Sequence, residues 1–275
     1  MAAMPNDPII DAHQHPVHPA WDPSPLLLFM ERASIDACWL LGSEAIDGGL
    51  EPGYRAITAE SILKFAELHP GRFVPFAAVD PRRDNAVARL HDLHARGARG
   101  YGEIKLRACY DAPEFLAMYR VAGELGMPVV MHLQYGPPAG QWFGGSIDAV
   151  ERAVSACPDT TFIAHAQSFW SHISGDGQGE AGRLNPTGPV APGGAAVRML
   201  QAHPNLHADL AAGSGYGAIT RDREFGRQFL IDFADKLLFG SDFLDVKYLQ
   251  LLCDLDLPEE VFAKITSRNA RRLIP

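Results

Sequence analysis

Eight short apolar segments alternate with longer segments of helical pattern, and this alternation restricts the fold more than any other feature of the chain. The apolar segments are residues 8–14, 37–43, 72–80, 100–106, 128–133, 161–166, 205–211 and 236–242. Nearly continuous apolar strands are expected in a parallel sheet that is covered on both faces. Eight such strands alternating with helices predict an α/β fold, a single-domain (β/α)8 TIM barrel over residues 1–275.

Helix signals lie between the predicted strands. Residues 58–70 begin with Thr58 as a predicted N-cap, and residues 111–126 begin with Asp111 as a predicted cap and Pro113 in the first turn. Residues 220–235 and 258–274 are similar. The alternative is an open, doubly wound sheet, which normally carries a Gly-rich phosphate loop after its first strand. This chain has HQHP at that point.

The bulk properties restrict the partners. A net charge of −9 without a basic stripe argues against nucleic-acid binding. The apolar runs are too short to span a bilayer, and no secretory signal is recognisable at the start. The four cysteines are widely spaced, which favours free thiols and a cytoplasmic location. We expect a small-molecule substrate, no nucleic-acid or membrane partner, and leave a homo-oligomer open.

One connection is unusually long. Residues 167–195 are rich in Gly, Pro, Ser and Asn and directly follow the sixth predicted strand. A loop of this length in a compact domain is usually functional or disordered. In a barrel it would overhang the C-terminal face, so we expect a lid or substrate loop, with a simple surface insertion as the alternative.

Polar side chains follow several of the predicted strands at the same depth. Residues two apart share a face of a strand, so Asp11, His13 and His15 are expected to point the same way. Each of these polar residues alone has an ordinary structural explanation, but together they would converge at one rim of the barrel. Imidazoles and carboxylates in this combination suit Zn²⁺ or a similar divalent ion. The predicted ligands are His13, His15, Glu103, His132, His165 and Asp242.

The segments DAHQHP, GEIKL, VVMHL, FIAHA and LLFGSDF resemble the amidohydrolase superfamily of metal-dependent TIM-barrel enzymes. The resemblance is strongest to its amidohydrolase-related branch (amidohydrolase 2), which also contains decarboxylases, and it extends from Ile9 to the terminal NARRL. It implies that the predicted ligands hold one or two divalent ions per chain, with Zn²⁺ as the expected ion. It also implies that Glu103 matches a carboxylate that bridges two metals in some members.

The expected activity is hydrolysis of a C–N or C–O bond in an amide, lactone or related ester by metal-activated hydroxide. Asp242 would take the proton of the water and pass it to the leaving group, and His165 is the second predicted catalytic residue. Asp11 would support the site from behind the ligands. The main alternative is a non-oxidative decarboxylase with a single metal ion. A nuclease or phosphodiesterase and a non-catalytic protein are weaker alternatives.

Other polar residues are candidates for contact with the substrate. Lys105 would bind a substrate anion or form an ion pair with Glu103. His207 and Asp209 would border the pocket from the seventh strand, with His207 as a substrate contact. The substrate-binding residues predicted from the long loop are Trp170 and His172, and further candidates are Arg183, Tyr216 and Arg221.

Overall fold

The computed structural model describes residues 7–16, 22–47, 57–136 and 142–275, which contain eight strands and twelve α-helices. The strands are β1 Ile10–Gln14, β2 Ala37–Leu41, β3 Phe73–Ala77, β4 Gly100–Ile104, β5 Val129–His132, β6 Phe162–His165, β7 Leu206–Asp209 and β8 Leu237–Leu238. The helices are α1 Ser24–Ala33, α2 Ala59–Leu68, α3 Ala86–Ala95, α4 Pro113–Glu124, α5 Ile147–Ala156, α6 Gln167–Ser171, α7 Ala195–Ala202, α8 Ala212–Thr220, α9 Arg223–Asp232, α10 Lys247–Asp254, α11 Glu259–Ala263 and α12 Asn269–Leu273.

The eight strands form one parallel sheet in the order β1 to β8. Backbone bonds also connect its two edges: Ala12 donates to Phe239 (2.8 Å) and Asp242 donates to His13 (2.9 Å). The sheet therefore curves into a barrel, and the predicted (β/α)8 fold is confirmed. All carboxyl ends of the strands lie at one rim, where barrel enzymes hold their active sites.

Two apolar layers explain why the chain closes in this way. Inside the barrel, side chains from alternate strand positions form a cluster that includes Trp39, Phe76, Val130, Ile163 and Leu238. Outside it, the opposite strand faces pack against the helices in a larger apolar cluster. Strands buried on both faces require the nearly continuous apolar runs that the sequence shows. The interior cluster fills the barrel beneath the polar rim.

The helix starts only partly follow their predicted caps. The Thr58 side chain accepts a hydrogen bond from the Ser61 backbone, so the predicted cap of α2 is confirmed. The prediction for α4 is wrong, because Ala112 is the N-cap residue and no side chain caps it. Asp111 instead accepts a hydrogen bond from Arg152 Nε (2.7 Å) on α5. Pro113 at the helix start leaves one backbone donor fewer to be capped.

Two further expectations concern the chemistry of the chain as a whole. All four cysteines are free thiols, as expected from their spacing. Within the described ranges, no helix combines the length and the apolar character that crossing a bilayer requires.

Candidate metal centre

Asp209 at the end of β7 holds two histidines from two other strands. It accepts a hydrogen bond from Nδ1 of His13 (2.9 Å) and another from Nδ1 of His165 (2.7 Å). All three residues are buried. A carboxylate that accepts from one ring nitrogen fixes the tautomer and leaves the other nitrogen able to bind a metal. The Nε2 atoms of both histidines are therefore free of Asp209 and able to bind a metal at the rim.

His15 is oriented in the same manner by the backbone. Its Nδ1 donates to the Leu41 carbonyl at the end of β2 (2.9 Å). Its Nε2 lies 3.4 Å from Glu103 Oε2 and 3.8 Å from Asp242 Oδ1. Three imidazoles therefore have Nδ1 engaged. The Nε2 atoms of all three lie near Glu103, and those of His13 and His15 also lie near Asp242.

Glu103 and Asp242 complete the cluster. The Nε2 atoms of His13 and His165 each lie 3.8 Å from Glu103 Oε1, and Asp242 Oδ1 lies 3.8 Å from His13 Nε2. Two sets of possible ligand atoms lie within 4.8 Å of one another: His13 with Glu103 and His165, and His13 with His15 and Asp242.

This donor set fits a divalent cation. Two ligands about 2.1 Å from a tetrahedral Zn²⁺ lie roughly 3.4 Å apart, close to the separations of the cluster. His13 Nε2 is buried and has no hydrogen-bond partner within the described residues. Because an unpaired buried nitrogen is costly, His13 is well suited to receive a metal ion.

The charges of the cluster favour a cation as well. Burial opposes protonation of His13, yet the carboxylates of Asp209, Asp242 and Glu103 raise its pKa to about 10. Burial likewise opposes ionisation of Glu103, but the nearby histidines, His132 foremost, hold the pKa of Glu103 well below its usual range. Negative charge is therefore concentrated around His13 Nε2, and positive charge is stabilised there.

His132 at the end of β5 differs from the other histidines. Its Nδ1 lies 2.7 Å from Glu103 Oε1 and its Nε2 lies 3.1 Å from Gln134 Oε1, so both ring nitrogens are engaged. The structure brings His132 beside the cluster but outside the two ligand sets. Gln134 follows His132 by two residues, and the same strand alternation would have identified it.

The backbone around β1 and β8 brings His13 and Asp242 together. A Cβ atom at Gly240 would lie 2.9 Å from Cβ of His13, so glycine allows the two segments to approach. Asp242 adopts a left-handed φ of 61°, which is uncommon outside glycine and recurs at functional sites.

The predicted alternation of β1 is only partly correct. Its register shifts between Asp11 and Gln14, and Ala12 packs with the interior cluster although its neighbour His13 points into the site. Asp11 accepts hydrogen bonds from the backbone of His13 and Ser241 (3.1 and 3.0 Å). It therefore supports the two segments through their backbone, and burial raises its pKa to about 6.

The cluster opens into a cavity of about 670 Å³. Lys105 lines this cavity together with Glu103, and it is 5% exposed. Gln167 and Asn185, both from the long connection after β6, also line it. Neither was a candidate from the sequence, because no pattern distinguishes them from other loop residues.

The other predicted contact residues lie elsewhere. Trp170 lines a neighbouring cavity, and its Nε1 donates to the Asp209 carbonyl (3.0 Å). His172 is buried beneath the long loop, where Nδ1 donates to the Ser168 carbonyl (2.6 Å) and Nε2 accepts from the Tyr135 hydroxyl (2.9 Å). His207 pairs with Ile163 deeper in the barrel and is not among the residues that line the 670 Å³ cavity.

The fold and this cluster define a TIM-barrel protein with a candidate metal centre at the carboxyl ends of its strands. The family model described as Amidohydrolase (Amidohydro_2) matches residues 10–275. The chain belongs to this family of enzymes, as the sequence motifs predicted. Comparison with curated protein sequences gave no match.

Solved structures of similar fold include proteins of different activity. An uncharacterised TIM-barrel protein from Bordetella bronchiseptica superposes with a TM-score of 0.72 at 16% identity over 97% of this chain and 98% of its own. A "probable 2-pyrone-4,6-dicarboxylic acid hydrolase" from Acinetobacter baumannii gives 0.62 at 12% identity, with 96% and 98% covered. A 5-carboxyvanillate decarboxylase from Novosphingobium aromaticivorans, complexed with manganese and a nitrobenzoic acid ligand, gives 0.60 at 16% identity, with 90% and 78% covered. At these identities the likeness concerns the fold.

Proposed function

We propose that the protein is a metal-dependent hydrolase that cleaves a C–N or C–O bond of a small amide, lactone or ester. The observation that carries the proposal is a set of three histidines, each oriented through Nδ1. Their Nε2 atoms lie 3.4 to 3.8 Å from Glu103, and those of His13 and His15 also lie 3.8 Å from Asp242. The ligands proposed are His13, His15, His165, Glu103 and Asp242, with His132 beside Glu103. A bound Zn²⁺ or Mn²⁺ would act as a Lewis acid and lower the pKa of water.

Asp242 is the proposed proton acceptor. Its carboxylate lines the cavity and its side chain is 17% exposed, whereas that of Glu103 is 2% exposed. Asp242 can therefore meet a water molecule and a substrate, take the proton of the attacking water and return it to the leaving nitrogen or oxygen. Asp209 keeps His13 and His165 in place throughout, because it bonds to both rings.

Lys105 and the long loop would bind the substrate. Lys105 supplies a cation at the wall of the same cavity, with Nζ 5.3 Å from the centre of the Phe143 ring. Gln167 and Asn185 give residues 167–195 direct access to the cavity. We therefore assign this segment the role of a substrate loop.

A non-oxidative decarboxylase is the second candidate, and Lys105 is the observation that favours it. A lysine in a cavity that also holds the metal ligands is suited to bind the carboxylate of an aromatic acid. Lys247 also lines the cavity, but its Nζ forms an ion pair with Asp245 (3.1 Å). Lys105 would then hold a carboxylate that leaves as CO₂.

Isotope incorporation separates the two reactions. The protein, purified without chelator and analysed for metal, is incubated in H₂¹⁸O with γ-butyrolactone and simple amides, and in D₂O with 2,6-dihydroxybenzoate. Hydrolysis places one ¹⁸O atom in the product acid, whereas decarboxylation releases CO₂ and places deuterium on the ring. The proposal requires bound metal and ¹⁸O incorporation that is lost in His13→Ala. Deuterium incorporation into the ring without ¹⁸O incorporation would overturn the hydrolase proposal in favour of a decarboxylase.

A further inference from the structure

A second cavity of about 450 Å³ adjoins the metal cavity. Its walls are the segment of residues 184–188 in the long loop and one face of α8. Asn185, Gly213 and Ser214 line both cavities, so the two share a boundary. A molecule whose reacting group lies at the metal centre can therefore extend a substituent past these three residues.

Two glycines of α8 keep the second cavity open. Gly213 and Gly217 are four residues apart and lie on one helical face, and both line the cavity. A Cβ atom at either position would meet nothing within 4 Å. By contrast, a Cβ atom at Gly215 would lie 2.4 Å from the Leu210 carbonyl oxygen. Packing thus requires glycine at position 215. At positions 213 and 217 packing does not require it, and although glycine is unfavourable in helices, its presence there leaves space open in the cavity.

The second cavity also differs from the first in charge. Among the described residues, Arg221 is the only charged one that lines it. Its Nη2 forms an ion pair with Asp176 (3.0 Å), which balances its charge, and its Nε donates to the Gly188 carbonyl (2.8 Å). Its Nη1 is buried and has no hydrogen-bond partner within the described residues. The apolar part of the cavity wall is formed by Trp170, Leu184, Pro186 and Ala218, and the uncharged polar side chains of Ser171, Thr187 and Thr220 also line it. An ionised ligand group would lose its hydration there and find only the Arg221 guanidinium, whose charge Asp176 already balances. An apolar group gains by leaving water.

Ser214 supplies a polar contact at the boundary. It is 7% exposed, and its Oγ has no hydrogen-bond partner within the described residues. A buried hydroxyl without a partner is unfavourable, and a carbonyl or ether oxygen of a ligand at the boundary would satisfy it.

We propose that this second cavity binds an uncharged, apolar substituent of the substrate, such as a phenyl group or a branched alkyl chain, next to the reacting group. The assignment rests on the proposed function only in that a small molecule reacts at the metal centre. It predicts a preference for substituted over unsubstituted substrates, and it identifies Gly217 as a residue that determines specificity.

The test compares γ-butyrolactone with γ-phenyl-γ-butyrolactone as probes. Dissociation constants are measured by ligand-observed NMR for the metal-loaded wild type, Gly217→Leu and Gly217→Ala. Wild type should bind the phenyl probe roughly tenfold more tightly, since filling an apolar pocket has effects of that order. Gly217→Leu should remove this preference and Gly217→Ala should retain most of it, and thermal denaturation verifies that both variants fold.

The outcomes separate this inference from the proposed function. Equal affinity of wild type for the two probes, or an unchanged preference in a folded Gly217→Leu protein, would overturn the assignment of the cavity. Hydrolysis is followed in the same samples. A phenyl probe that binds in a Gly217-dependent manner without being hydrolysed would support the cavity and count against hydrolysis of lactones.

Discussion

His165 and His207 lie on neighbouring strands of the same barrel, are both buried, and have opposite surroundings. His165 Nδ1 bonds to the Asp209 carboxylate, and its Nε2 lies 3.8 Å from Glu103. His207 Nδ1 has no partner within the described residues, and burial, with the charges of Lys236 and Arg272, lowers its pKa to about 3.

The difference shows how the surroundings distinguish a candidate metal ligand from a histidine of the barrel interior. At the rim, carboxylates raise the pKa of His13, whereas in the deeper position burial first and the cations Lys236 and Arg272 second lower the pKa of His207. His207 is therefore a neutral part of the barrel interior, although its spacing from Asp209 suggested a pocket residue. The surroundings of the imidazole ring therefore distinguish a histidine at the rim from a histidine in the barrel interior.

Removing a rim histidine should have the largest effect. His13→Ala deletes the nitrogen common to both possible ligand sets, so bound metal should fall below one tenth of the wild-type content and activity by more than ~100-fold. Metal analysis and turnover of the active probe measure both losses. His91→Ala, on the exposed face of α3, is the matched control and should match wild type. Full metal content in His13→Ala would exclude this residue as a ligand.

Removing the carboxylate behind the rim should have an intermediate effect. Asp209→Asn keeps the size of the side chain but weakens its hold on His13 and His165 and changes the ring tautomer that it favours. Loss of such a supporting residue typically costs about 10–100-fold in metal affinity or activity. Metal titration of the stripped protein checks this prediction, with Asp92→Asn on the exposed face of α3 as control. An unchanged metal affinity would mean that Asp209 does not position the ligands.

His207, in the barrel interior, should affect the stability of the protein in acid, and its replacement should leave metal binding nearly unchanged. The folded pKa of about 3 lies below the usual 6.5, so the unfolded chain binds a proton that the folded chain does not. The free energy of unfolding should therefore fall as the pH drops from 6.5 toward 3, by at most about 1.4 kcal/mol per pH unit from this residue.

His207→Leu removes this contribution, because leucine does not titrate. Chemical denaturation at pH 7.5 and pH 5 should show a smaller loss of stability for His207→Leu than for wild type, with metal content at pH 7.5 unchanged. If His207→Leu lost as much metal as His13→Ala, the distinction between the rim histidines and the interior His207 would be contradicted.

Much of the barrel and its rim could be predicted from the sequence because both depend on local patterns. A strand buried on both faces requires an apolar run, and the candidate ligands at strand ends follow those runs directly, as in DAHQH and FGSD. The register shift in β1 escaped prediction, since it depends on how β1 pairs with β2. The cap of α4 also differed, because the Asp111 side chain bonds to Arg152, 41 residues away, a contact that no local pattern predicts.

The positions of the eight strands along the chain and of the rim histidines at their ends are properties of the sequence itself, since each depends on residues within a few positions. Only the tertiary structure decided which of these polar groups meet. Asp209 joins His13 and His165 across 196 and 44 residues of chain, and Gly213 and Gly217 border a cavity with a loop some thirty residues earlier. Such contacts depend on closure of the barrel, which brings together residues that no local pattern relates.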